Sequence, residues 1–180
     1  MHSSPIWKVL TYGAKVLRQK AKPVTEFEAM EELGRQMLEE MHRSHGVGLA
    51  APQIGISQRM IVADASSFDA TQEPMVLINP EIVERKGEEF GLEGCLSLPG
   101  IEVEVKRSKE IRVRAQTTDG KPLDLRLKNF PARIIQHEID HLDGTLILDY
   151  LPALERIRAI WTLRKKGRLP DKGKVLVSEL

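Results

Sequence analysis

The chain has 180 residues, which is enough for one domain with a substantial core. Lys and Arg number 27 against 26 Asp and Glu, so the bulk charge gives no reason to expect DNA binding. A single cysteine excludes an internal disulfide and fits a reducing cytoplasm, and neither a signal peptide nor an apolar run near the ~20 residues of a membrane span is visible.

An amphipathic helix is the first predicted element, over residues 25–45. Apolar side chains recur there at steps of three and four, and Thr25 and Glu28 have the spacing of a capping box. The stretch that follows, 46–55, is rich in glycine and alanine and carries the amide side chain of Gln53. It lacks the Lys-Ser/Thr of a phosphate-binding loop, so it is predicted to be a tight turn leaving the helix.

Strands are predicted from apolar runs and from the alternation of apolar and polar residues. The predicted strands cover 59–63, 75–83, 101–106, 110–118 and 122–128. Asp119 and Gly120, between the last two, form a hairpin turn signal. A second helix is predicted over 131–143, because Pro131 stands at its start and Gly144 follows its end.

A final helical segment is predicted over 153–166. Its apolar residues are spaced to form a face that docks on the rest of the protein: Leu154, Ile157, Ile160 and Trp161. Its basic end, with Arg164, Lys165 and Lys166, is expected to lie outside. Since helices and strands do not alternate regularly, the order favours an α+β fold, a compact single domain whose antiparallel or mixed sheets pack around helix 131–143.

The helix over 131–143 contains the H-E-x-x-H pattern in His137, Glu138 and His141. Histidines four residues apart lie on one face of a helix, where both can reach one metal ion. Glu138 lies roughly 100° around the helix, beside the ion, where a general base is needed. Two histidines leave a tetrahedral ion short of ligands, and only Cys95 can add a thiolate. These residues predict a catalytic metal site.

Three segments in order resemble the peptide deformylase family: G-x-G-x-A-A-x-Q at 46–53, E-G-C-L-S at 93–97 and Q-H-E-x-D-H at 136–141. The resemblance covers most of the chain. It implies a catalytic domain over 1–152, with the basic helix and tail at 153–180 belonging to the same domain. It also implies hydrolytic removal of the formyl group from the N-terminal methionine of new polypeptides, through attack by a metal-bound hydroxide.

The resemblance implies a metal held by Cys95, His137 and His141. A cysteine with two histidines suits several divalent ions. The family match indicates Fe²⁺ in the cell, with Zn²⁺, Ni²⁺ or Co²⁺ in purified protein.

The remaining roles also come from the resemblance. Glu138 is the expected catalytic acid and base, and the Gln53 side chain and the backbone N–H of Leu96 are the expected donors to the formyl oxygen. Gly48 is expected to align the substrate backbone. The expected substrates are N-formyl-methionyl nascent peptides, and the hypothesis for the basic C-terminal helix is contact with ribosomal RNA.

A histidine that binds a metal usually donates its other N–H to a carboxylate or carbonyl group. Glu93, Asp140 and Asp143 are the candidates, although a solvated or capping carboxylate is the commoner outcome for each. Arg133, one turn before His137, is expected to be a surface guanidinium with a packed stem.

Two other functions remain open. A metalloendopeptidase would need a further ligand, but the metzincin position holds Ile147, and the nearest downstream glutamate, Glu155, lies on a separate segment. A structural metal site in a binding module would need four protein ligands, whereas three are well placed.

Overall fold

A computed structural model describes residues 7–68, 70–71 and 73–165. Five antiparallel strands form the larger sheet, in the order β1-β2-β3-β6-β7: Gly48–Ala50, Met60–Ala63, Met75–Lys86, Glu110–Gln116 and Pro122–Lys128. The other two, β4 (Glu89–Gly94) and β5 (Glu102–Arg107), pair with each other in a separate sheet. The helices are α1 (Met30–Arg43), α2 (Asn129–Leu142) and α3 (Ala153–Lys165). The α+β prediction is confirmed.

Helices α1 and α2 pack on opposite faces of the larger sheet. Strand β2 is buried on both faces, and its side chains alternate between two hydrophobic clusters. Ile61 belongs to the cluster that contains Ile135 of α2, and Met60 belongs to the cluster that contains Met37 of α1. The sheet therefore fixes α2, which carries both predicted histidine ligands, from its buried side.

The first helix begins later than its sequence pattern predicts. It starts at Met30, and no side chain caps its N-terminus, so the predicted capping box of Thr25 and Glu28 is wrong. The residues before it are held by tertiary contacts instead. Asn79 accepts a hydrogen bond from the Val24 N–H at 2.8 Å and donates one to the Val24 carbonyl at 2.9 Å. These contacts override the local helix signal.

Two strands were not predicted. The segment over 46–55, predicted to be a turn, contains β1, which pairs with β2 in the register Gly48↔Ala63. Strand β4 lacks a usual strand pattern, because two of its six residues are glycine and its large apolar side chains, Phe90 and Leu92, face solvent. By contrast, the predicted hairpin turn between β6 and β7 is confirmed, with Gly120 at φ +82°.

Helix α3 has the predicted position but a different buried face. Leu154, Ile157 and Trp161 are exposed by 60%, 63% and 63%, whereas Leu163 is 1% exposed. Three of the four residues predicted to dock are therefore exposed, whereas the fourth, Ile160, does pack with Leu163 against the cluster around β5. The helix is rotated from its predicted orientation. Lys166 and the tail after it lie outside the described residues. No described helix is long and apolar enough to cross a membrane.

Candidate metal centre

The three predicted ligands lie together. Cys95 directly follows β4, and His137 and His141 lie one turn apart on α2. The Sγ atom of Cys95 is 3.3 Å from Nε2 of His141, and the two histidine Nε2 atoms are 3.2 Å apart. One ligand atom from each residue falls within 4.8 Å of the others. One thiolate and two imidazoles at this spacing fit a single divalent ion, and three protein ligands would leave a position open for water or substrate.

Glu93 orients one of the two histidines. Its Oε2 lies 3.0 Å from Nδ1 of His137, which leaves Nε2 of that ring to face the centre. Arg107 donates two hydrogen bonds to the same carboxylate, at 2.9 and 2.8 Å, and Arg133 donates a third at 2.8 Å. Burial raises the pKa of a carboxyl, but hydrogen bonds from Arg107 and His137 outweigh it and lower the pKa of Glu93 to about 2.

The sequence favoured solvent-exposed positions for the charged residues around the site, and this expectation is wrong for two of them. Glu93 and Arg133 are buried, not solvated. Asp140 accepts hydrogen bonds from Arg107 at 2.6 Å and from the Tyr150 hydroxyl at 2.8 Å, and Asp143 pairs at the surface with Arg59. The sequence did hold one signal for Glu93. Glu93 lies two residues before Cys95, and residues two apart on an extended chain point to the same side.

Glu138 is buried, and its Oε2 has no hydrogen-bond partner among the described residues. Burial is the main cause that raises the pKa of this carboxyl, to about 7. An unpartnered carboxylate oxygen beside a metal centre can accept a proton from a water molecule. A pKa near neutrality is also what a general acid and base needs at physiological pH.

Gln53 and Leu96 line the same cleft as two of the predicted ligands, Cys95 and His137. The Gln53 Oε1 atom accepts a hydrogen bond from the Ala50 N–H at 2.8 Å, which turns the amide nitrogen toward the centre. That nitrogen donates to Ser97 Oγ at 3.1 Å and lies 3.8 Å from the Cys95 Sγ. Leu96 is the residue after Cys95. Their predicted roles toward the formyl oxygen stay predictions.

The cleft has a volume of about 680 Å³, and its apolar residues include Val47, Leu92, Phe130 and Ile134. Cys95, His137 and Glu138 line the same cleft. The cleft is thus large enough for an apolar side chain with neighbouring backbone, next to reactive groups.

Gly48 brings the backbone of β1 against Glu138. A Cβ atom added at this glycine would lie 2.3 Å from Oε1 of Glu138. We expect Gly48→Ala to push the Glu138 carboxylate from its position. This should lower kcat for the expected deformylation reaction about 10-fold to 100-fold, because small misplacements of a reacting group are costly. The measurement is kcat and metal content together. Wild-type kcat with a full metal complement would show that this contact is unimportant.

Comparison with known proteins gives one consistent result. Residues 6–157 match the family model described as polypeptide deformylase. A peptide deformylase of Dictyoglomus thermophilum is 50% identical over 145 residues, covering 80% of this chain and 92% of that protein. One from Acidobacterium capsulatum is 45% identical over 161 residues, covering 89% and 95%. The crystal structure of a peptide deformylase from Legionella pneumophila matches with a TM-score of 0.84 and 41% identity, covering 91% of this chain and 96% of that one.

Proposed function

The chain belongs to the polypeptide deformylase family, metal-dependent hydrolases that remove the formyl group from N-terminal formylmethionine, and we propose that its reaction takes place at Cys95, His137, His141 and Glu138. The observation that carries this assignment is the convergence of one cysteine sulfur and two imidazole nitrogens within 4.8 Å, beside the cleft that Cys95, His137 and Glu138 line. The substrates are the N-formyl-methionyl ends of newly made polypeptides.

Each of these residues has a separate role in the proposed reaction. A metal held by the three ligands would act as a Lewis acid and lower the pKa of a bound water toward neutrality. Glu138 takes the proton from the attacking water and later gives a proton to the departing amine nitrogen. Negative charge develops on the formyl oxygen, to which the Gln53 amide and the Leu96 N–H donate. One such donor is worth roughly 3 kcal/mol. Gly48 aligns the substrate backbone.

We propose Fe²⁺ as the working metal, with Zn²⁺, Ni²⁺ or Co²⁺ on the same ligands in purified protein. A mixed thiolate and imidazole set accepts all of these ions, so availability decides among them. A ferrous thiolate centre is sensitive to oxidation, which supports a reducing compartment and hence the cytoplasm.

The test separates this function from the alternative of a metalloendopeptidase. Protein purified without oxygen is analysed for metal and then given a formyl-methionyl peptide, its unformylated form and an unformylated protein. Formate release from the first alone, with iron bound, supports the proposal. Cleavage of internal peptide bonds would contradict it.

We also propose that residues 1–152 carry the reaction and that α3 belongs to the same domain. Leu163 of α3 packs with Val105 of β5 and Leu148 in one cluster, which supports this assignment.

The side of α3 that faces solvent carries both apolar and basic residues. Leu154 and Trp161 are exposed there, along with the basic residues Arg158, Arg164 and Lys165. Exposed apolar and basic residues on one helix suit contact with a partner that carries phosphate groups.

The proposed partner of α3 is ribosomal RNA near the site where formylated chains emerge. We expect Arg164→Glu with Lys165→Glu to weaken co-sedimentation with ribosomes at low salt, because phosphate contacts release counterions. Turnover of a short formyl peptide should stay unchanged. The matched control reverses Arg114 and Arg126, which are also exposed but lie on the larger sheet. Equal co-sedimentation of the α3 variant and wild type would contradict the proposed RNA contact, and the basic end of α3 would then be simply solvated.

A further inference from the structure

The three proposed metal ligands depend on two separate parts of the fold. His137 and His141 lie on α2, which packs against the five-stranded sheet. Cys95 follows β4, which pairs only with β5 within the described residues. No backbone ladder joins these two sheets in that part of the chain. The distance between the Cys95 sulfur and the imidazoles therefore depends in part on side chains that connect the β4–β5 hairpin to α2.

Arg133 is one of these side chains, beside the contacts of Arg107 with Asp140 and of Glu93 with His137. It lies on α2, one turn before His137, and it is buried. Its Nη1 donates to the Glu93 carboxylate at 2.8 Å and to the Val105 carbonyl at 3.0 Å, and its Nη2 donates to the Glu89 carbonyl at 3.1 Å. One guanidinium thus binds both strands of the hairpin, at two backbone positions and one carboxylate.

Gly91 provides the space for that guanidinium. A Cβ atom added at this position in the middle of β4 would lie 2.9 Å from Cζ of Arg133 and 3.0 Å from Nη2. The backbone of Gly91 is not in the left-handed region. Close approach of the guanidinium, and not an unusual φ angle, is therefore what requires glycine here.

We propose that Arg133 and Gly91 form a clamp that sets the position of the Cys95 thiolate relative to His137 and His141. Arg133 is a positioning residue: it holds the strand that leads into Cys95, and it binds Oε1 of Glu93 while Oε2 faces His137. This inference rests on the proposed metal site.

The test uses the full chain loaded with Co²⁺, whose absorption reports on its thiolate ligand. We expect Arg133→Met to release the metal to a chelator about 10-fold to 100-fold faster, the usual cost of losing a group that orients a ligand. We also expect a change in the position or intensity of the thiolate-to-cobalt charge-transfer absorption band. Gly91→Ala should act in the same direction, because its methyl group displaces the guanidinium. Arg126→Met, which alters an exposed arginine on β7, is the matched control and should leave both measurements unchanged.

The double variant tests whether the two residues act together. Once Arg133 has become methionine, Gly91→Ala has no guanidinium to displace, so the two effects should not add. Should Arg133→Met fail to fold, Gly91→Ala carries the test alone, since it removes no hydrogen-bonding group. Wild-type metal release and spectrum in both single variants, or fully additive effects, would overturn the clamp. Loss of the cobalt band in Cys95→Ser shows independently that Cys95 is a ligand, so failure of the clamp and failure of the metal site are distinguishable.

Discussion

Cys95→Ala should lose its metal. The variant keeps only His137 and His141 of the three proposed ligands, and no other thiol exists in the chain. Loss of a group that merely orients a ligand costs about 10-fold to 100-fold in affinity, so loss of a ligand should cost more than about 100-fold. The measurement is the metal content of each protein after desalting. Cys95→Asp should retain some metal, because a carboxylate oxygen can also bind these ions.

The control for this experiment is His42→Ala. His42 is an exposed histidine on α1 that pairs with Asp64, so its loss should leave the metal content unchanged. A full complement of metal in Cys95→Ala would contradict the assignment of three ligands.

Glu138→Gln should keep the metal and lose nearly all turnover. The amide has the shape of the carboxylate but cannot accept the proton of the attacking water. Loss of general acid–base catalysis costs about 10²-fold to 10⁴-fold. The measurement is kcat for formate release at equal metal content, with Glu110→Gln, a half-buried glutamate on β6, as the matched control.

The stability of the Glu138→Gln variant gives a second check. Because burial raises the pKa of Glu138, its ionised form opposes folding of the metal-free protein. The neutral Gln side chain should therefore not lower the Tm at pH 8. Near-normal turnover in Glu138→Gln would show that another group is the acid and base.

The sequence predicted the parts of this protein that depend on short-range spacing. His137, Glu138 and His141 are placed by helix periodicity alone, and Gly120 marks a turn whose geometry is local. The position of Cys95 beside them could be inferred only from the need for a third ligand and from the family resemblance. No local pattern specifies that distance.

The features that the sequence did not predict depend on tertiary contacts. The sequence pattern did not predict β4, because the side chain that this strand buries is the charged Glu93, while its large apolar side chains face solvent. Arg133 was expected at the surface, since nothing local to it indicates a carboxylate 40 positions earlier in the chain. The predicted buried face of α3 was right only for Ile160, because the helix has two apolar faces and the rest of the protein packs against the one that contains Leu163. Periodicity finds a helix more reliably than it finds the face that packs.

The most direct test of the central claim is a titration of the metal-free protein with Fe²⁺ in the absence of oxygen, with formate release from a formyl-methionyl peptide as the signal. Activity should be absent at first, rise in proportion to added metal and reach a plateau at one ion per chain. Turnover by the metal-free protein at the plateau rate, or one bound ion per chain without formate release, would contradict the account.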